Sequence, residues 1–276
     1  MIAIYDIEVF PNFFSLAWIN RDNDDDNGMF YVHKSKNQID KLYEWLNVID
    51  GLIGFNNINY DYPVLHFMLN NKANFSIWES DNIDFITTKI YDESQRVIST
   101  EWPSIKSKNV KIPQLDLFLI HHFNNKSKMT SLKAVQIAMN FENVQDLPFH
   151  YTHKVKPKEI KSILSYNMND VIATKELYNR SKDMLEMRRK LSNEYNIPLM
   201  NANDPKIGEE IFLKIISDEL NIDPWQLKKL RTHREFIDLA ECILPSVKFK
   251  SKEFNNLLNK LKSDDNIGNN RKYGDT

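Results

Sequence analysis

Hydrophobic and polar positions divide the chain into recognisable segments. Residues 1–10, Met-Ile-Ala-Ile-Tyr-Asp-Ile-Glu-Val-Phe, are apolar on both alternating faces apart from Asp6 and Glu8. That pattern predicts a central strand buried from both sides. Pro11-Asn12 marks a turn, 13–19 a second strand, the Asp- and Asn-rich run 21–28 another turn, and 29–32 a third strand. A helix is expected at 38–46, a short apolar strand at 52–55, and a helix entering near Tyr62 with Pro63 in its first turn. Residues 72–110 are less regular: a helix near 81–90 and a polar loop carrying lysines are expected. The apolar run 112–120 contains another strand. Ser131 opens a helix to about residue 140, and Pro157 opens helical material, with room for a break, to about residue 193. Strands early and midway, with helices between them, indicate an α/β domain.

The character changes after Ile197-Pro198. Asp204-Pro205 opens a helix to about Leu220, Asp223-Pro224 opens another, and 252–262 forms a third. The expected organisation is therefore a domain over 1–195 and a helical extension over 196–276, with a frayed polar tail from Ser263.

The acids on the first strand carry the chemistry. Residues i and i+2 of a strand share a face, so Asp6 and Glu8 lie side by side at its C-terminal end. At ~6 Å and an effective dielectric constant of ~20, two such charges repel by roughly 3 kcal/mol. A divalent cation would remove that penalty, and oxygen ligands suit Mg²⁺ or Mn²⁺. The competing reading, an edge strand whose acids face water, would win for an isolated Asp-x-Glu; the apolar flanks on both faces bring the two readings level. Asp61 follows the short strand in Gly-Phe-Asn-Asn-Ile-Asn-Tyr-Asp. It either caps the helix behind it or stands at the mouth of the fold. Tyr166 and Asp170 are four apart in a predicted helix and share a face. Among 11 tyrosines, Tyr166 alone has an Asp four residues later. Chance allows about one such pair, so it is the order of the three elements that matters.

Asp6-Ile7-Glu8, Asn57-Ile58-Asn59-Tyr60-Asp61 and Tyr166-Asn167-Met168-Asn169-Asp170 occur in that order. Over about residues 1–190 the chain resembles the proofreading exonuclease domains of DNA polymerases, the DEDD group in its tyrosine subtype. The phage family B polymerases are the nearest pattern. The resemblance implies an RNase H-like mixed sheet flanked by helices. It implies two divalent metal ions, Mg²⁺ or Mn²⁺, held by Asp6, Glu8, Asp61 and Asp170, and Tyr166 positioning the attacking water. Catalysis is then assigned to Asp6, Glu8, Asp61, Tyr166 and Asp170. The implied activity is metal-dependent 3′→5′ removal of nucleotides from the 3′ end of single-stranded DNA. Asn57 and Tyr60 match positions that touch that end, although Tyr60 also suits a core. The basic stretches 106–111, 154–161 and 228–234 offer phosphate contacts or merely solvated faces. A lysine near the site assists in some relatives, and no single lysine here is matched to it.

Composition narrows the picture. Net charge is −2, consistent with carboxylates gathered around cations that the count omits. One cysteine excludes an internal disulfide and a cysteine zinc site. Six glycines form no phosphate-cradling loop, and no apolar run or signal-like N-terminus points to a membrane. A cytoplasmic protein is expected, in a host cell if viral. Asp116, in Leu-Asp-Leu, either lies near the site or ends a strand. The histidines suit surface or capping roles, and Asp24-Asp25-Asp26 lacks the spacing of a calcium loop. No polymerase palm motif is present, and the final Tyr-Gly-Asp-Thr lacks the surroundings of one. The expected partners are a DNA 3′ end and a polymerase core, as a separate subunit or the rest of a longer chain. A non-catalytic strand-binding or docking subunit, or an RNA-trimming exonuclease of the same fold, are the alternatives.

Overall fold

The computed structural model describes residues 1–77, 82–100, 105–127, 129–230 and 239–263. It is an α/β fold around a six-stranded mixed sheet, an arrangement consistent with RNase H-like architecture. The strands are β1 (Ile2–Phe10), β2 (Phe13–Asn20), β3 (Asn27–His33), β4 (Lys36–Asn37), β5 (Gly51–Gly54) and β6 (Gln114–Asp116), in the order β4-β3-β2-β1-β5-β6. β1 pairs antiparallel with β2 and parallel with β5, and is central as its two apolar faces require.

Helices cover both faces. The odd residues of β1 (Ala3, Tyr5, Ile7, Val9) pack with Leu16 and Trp18 of β2 against α1 (Ile39–Asn47), α2 (Asp61–Asn70) and α4 (Ile83–Ser99). The even face carries Ile4, joined by Ala17 and Ile19 of β2, against α6 (Leu132–Ala138) and α7 (Ile160–Arg180). Alternation along β1 therefore aims Asp6 and Glu8 at α7. Opposite them in register stand Ala17 and Ser15, two small residues that let the helix approach. At the end of β1, Phe10 and Phe13 pack with Val155, Ile160 and Ile163, which fixes the start of α7. The remaining helices are α3 (Lys72–Ile77), α5 (Leu117–Ile120), α8 (Lys182–Tyr195), α9 (Asp204–Leu220), α10 (Pro224–Leu227), α11 (Leu239–Cys242) and α12 (Lys252–Ser263). Among the described residues no helix is long and apolar enough to cross a membrane.

Of three expected segments, only the second departs from expectation. The run 112–120 holds a strand only at 114–116, because Asp116 accepts the Phe118 N–H at 2.9 Å and starts α5. α4 continues to Ser99 where a polar loop was expected; Ile86, Ile90 and Val97 give it one buried stripe. Residue 81 lies outside the described residues. Helical material from 157 does break, at Ser181, between α7 and α8.

The chain forms two compact units, Met1–Lys214 and Ile215–Thr276. Within the first, residues 196–204 are tied down by two devices that sequence does not announce. Arg188, fully buried, donates to the carbonyls of Ala202, Met184 and Ile120 and to Asp204 at 2.7 Å. The Asn201 side chain accepts from Asp116 N and donates to Gln114 O, both at 2.8 Å, and so occupies the open edge of β6.

Candidate active site

Three carboxylates converge where β1 meets α7. Oxygens of Asp6, Glu8 and Asp170 all lie within 4.8 Å of one another. Asp6 and Glu8 are half-buried and Asp170 is buried, so the cluster is enclosed by protein yet keeps an opening to solvent. On α7, Ile163, Asn167, Asp170 and Val171 are buried while Ile172 is exposed. This helical stripe carries Asp170 onto the acid pair.

Asp61 lies outside that oxygen cluster, at the start of α2, but its charge is close enough to act on Asp6 and Glu8. β5 stays paired with β1 only as far as Ile4↔Ile53, so the edge of β1 beyond that register is open. The Ile7 N–H on this edge donates to Asp61 Oδ1 at 3.2 Å. Asp61 is the first residue of α2, one place after the N-cap residue Tyr60, and its carboxylate takes the Ile7 N–H rather than a later N–H of its own helix.

Burial and mutual repulsion hold the carboxyls above their ordinary values. Asp6 is raised well up by burial and then by Asp61, Glu8 and Asp170, against a lowering hydrogen bond from Asn167. Glu8 is raised by burial, then by Asp170 and Asp61. Burial pushes Asp61 up to about 7 despite the Ile7 N–H, and raises Asp170 against hydrogen bonds from Tyr166 and Gln136. Tyr166 is half-buried on the same helix face, close to Asp170; burial first, then the Asp170 charge, push its hydroxyl well up, so it stays protonated.

A second set of side chains holds the acids in place. Asn167 Nδ2 donates to Asp6 Oδ2 at 2.7 Å, and Ser15 Oγ donates to Asn167 Oδ1 at 3.0 Å. Gln136 Nε2, from α6, donates to Asp170 Oδ1 at 2.9 Å. Asp116, fully buried, accepts from the N–H groups of Asn56 at 2.8 Å and Ile58 at 3.1 Å. It thereby shapes the turn that leads to Asp61 and also ends β6, the second of its two expected roles. Asn167 had a sequence signal, being three residues before Asp170 on one helix face. Ser15, Gln136 and the role of Asp116 had none, because their partners are distant in the chain.

Asn57 is fully buried in that turn, with Nδ2 donating to Gln114 Oε1 at 2.8 Å. It braces the turn from inside rather than facing a strand end, since enclosure removes it from any ligand. Tyr60 is half-buried, packs against the core and bonds Ser94 Oγ at 3.0 Å. Gly54 permits this packing: a Cβ there would lie 2.6 Å from Asn57 Cβ. Gly54→Ala is accordingly expected to lower stability by about 1–3 kcal/mol in urea denaturation. Adding Asn57→Ala should relieve it only in part, because it removes Cγ at 2.8 Å but keeps the nearest atom, Asn57 Cβ.

The other polar candidates have structural partners. Buried His33 bonds Ser35 Oγ and the Val155 carbonyl, and His121 bonds Ser181 Oγ. Asp24 pairs with the buried Lys175. Asn12 clasps Val155 through both its amide atoms, which sets the exposed Lys154, Lys156 and Lys158 at the end of the sheet nearest Glu8. Residues 231–234 of the last basic stretch, the tail from 264, and the final Tyr-Gly-Asp-Thr lie outside the described residues.

The donor set fits a divalent ion. Ligand oxygens ~2.1 Å from Mg²⁺ stand ~3 Å apart in cis and ~4 Å in trans. Three carboxylates already within 4.8 Å need only close slightly on such an ion. Comparison with known protein families, curated proteins and solved structures gives no match.

Proposed function

We propose that this protein is a metal-dependent 3′→5′ exonuclease that removes nucleotides from the 3′ end of single-stranded or frayed DNA, the proofreading activity of a phage-type family B polymerase. The observation that carries it is the meeting of Asp6, Glu8 and Asp170, drawn from positions more than 160 residues apart, in one desolvated cluster. Buried like charges are costly unless a cation compensates them. The order of the acidic motifs in the chain supplies the reaction class.

Asp6, Glu8 and Asp170 would hold one Mg²⁺ or Mn²⁺, and Asp6 with Asp61 a second. Such a pair, when bound, activates water and stabilises the departing oxygen of an in-line displacement. Water oxygen forms a bond to the terminal phosphorus as the bond to the 3′-oxygen breaks. That oxygen takes a proton, and a nucleoside 5′-monophosphate leaves. Tyr166 remains neutral and would orient the water through its hydroxyl. Lys154, Lys156 and Lys158 stand where they can meet backbone phosphates. A polymerase core, in the same chain or as a separate subunit, is the partner such an activity serves. Trp225, Leu244 and Phe254, exposed on the second unit, give it an apolar surface.

Incubation with 3′-labelled DNA and RNA strands, with Mn²⁺ or Mg²⁺ and with chelator, tests the proposal. Metal-dependent release of mononucleotides from DNA is expected; binding without release would leave only a strand-binding module. Tyr166→Phe is expected to slow release by about 10²-fold, the scale of a misplaced nucleophile.

A further inference from the structure

Gln136 is the buried polar group that the chemistry above leaves half-used. It is 1% exposed, on α6, and Nε2 donates to Asp170 Oδ1 at 2.9 Å. An ionised carboxylate only accepts, so the amide nitrogen must face Asp170, which fixes the orientation of the group. Oε1 is then left enclosed without a hydrogen-bond partner. Other buried orphan atoms occur on Trp18, Trp45, Asn57 and Gln95, but among these side chains only Gln136 has a hydrogen bond to a member of the acid cluster. The contrast with Asn167 is informative. There Ser15 satisfies Oδ1 and Asp6 takes Nδ2, so that bracket is complete as it stands.

A buried carbonyl left unpaired lowers stability and persists where it serves a function or awaits a donor. The donor suited to this place is water. A Mg²⁺-class ion keeps several waters, and each is a strengthened O–H donor. We infer that Gln136 is a positioning residue for the metal centre: Nε2 sets the Asp170 carboxylate, and Oε1 accepts from a water that arrives with the ion. The inference presupposes the metal-binding function proposed above. Its prediction is specific, because the side chain should matter for metal affinity more than for the metal-free fold.

Calorimetric titration with Mn²⁺, alongside thermal denaturation in chelator, tests it on the full chain. Gln136→Met and Gln136→Leu each remove the amide while keeping bulk. Either folded variant is expected to bind Mn²⁺ about 10–100-fold more weakly, the usual cost of losing an outer-shell partner. The metal-free Tm should change little, since the lost bond to Asp170 offsets the removal of an orphan polar atom. Wild-type affinity in a folded variant, with or without a lowered metal-free Tm, would mark a packing role and overturn the inference alone. Failure of the wild-type chain to bind Mn²⁺ would overturn the proposed function and this inference with it.

Discussion

Asp6→Ala is expected to slow nucleotide release from a DNA 3′ end by on the order of 10³-fold or more. Asp6 is the carboxylate common to both proposed ions, and its neighbours Glu8 and Asp170 share its oxygen cluster. Metal stabilisation of a transferring phosphoryl group amounts to several kcal/mol, and each ~1.4 kcal/mol is a factor of ten. Asp170→Ala should fall to a similar rate, and the double variant should be little worse, because groups serving one ion act as a unit. Single-turnover cleavage with enzyme in excess separates this from weakened strand binding. Near-wild-type rates for Asp6→Ala, or multiplicative losses in the double variant, would contradict the shared-ion arrangement.

The second large effect concerns stability. All four carboxyls are raised above their unfolded values, Asp61 to about 7. Between the unfolded and folded values the native protein holds protons that the unfolded chain has released. The resulting stabilisation is complete below the unfolded values near 4 and is lost as pH rises through about 7. Metal-free protein should therefore lose stability from this cluster between pH 5 and 7.5. Mn²⁺ reverses the sign by binding the ionised cluster. At a hundred times its dissociation constant it adds ~2.7 kcal/mol, about 5–11 °C in Tm for a chain of this size. The increment should be larger at pH 7.5 than at pH 5. Glu8→Gln, which removes one like charge without changing shape, should raise the metal-free Tm at pH 7.5 while abolishing the gain from Mn²⁺. Insensitivity of Tm to metal at both pH values would count against the cluster as a cation site.

Only the local placement of the acids was legible from periodicity; that they belong to one site was expected from the order of the motifs and the family resemblance. Two-residue alternation put Asp6 and Glu8 on one face of β1, and helical spacing put Tyr166 and Asp170 on one face of α7. Both follow from backbone geometry alone. The apolar flanks of β1 announced its central place in the sheet. What periodicity cannot give is which distant groups meet. Asn167 reaches Asp6 across 161 residues, and Ser15 reaches Asn167 across 152. Gln136 reads as one polar residue in a short helix until its contact with Asp170 is seen. Asn57 was assigned to the strand end only through the family resemblance, whereas the structure buries it against Gly54. The run 112–120 was ambiguous for a different reason: short apolar stretches suit a buried strand and a buried helix alike. The change falls at Asp116, where three backbone N–H groups converge on one carboxylate.

The most direct test is anomalous diffraction from crystals equilibrated with Mn²⁺ at neutral pH. A peak coordinated by Asp6, Glu8 and Asp170, with a second toward Asp61, is the expected result. Ordered crystals with saturating Mn²⁺ and no density between β1 and α7 would show that these acids assemble for some other purpose.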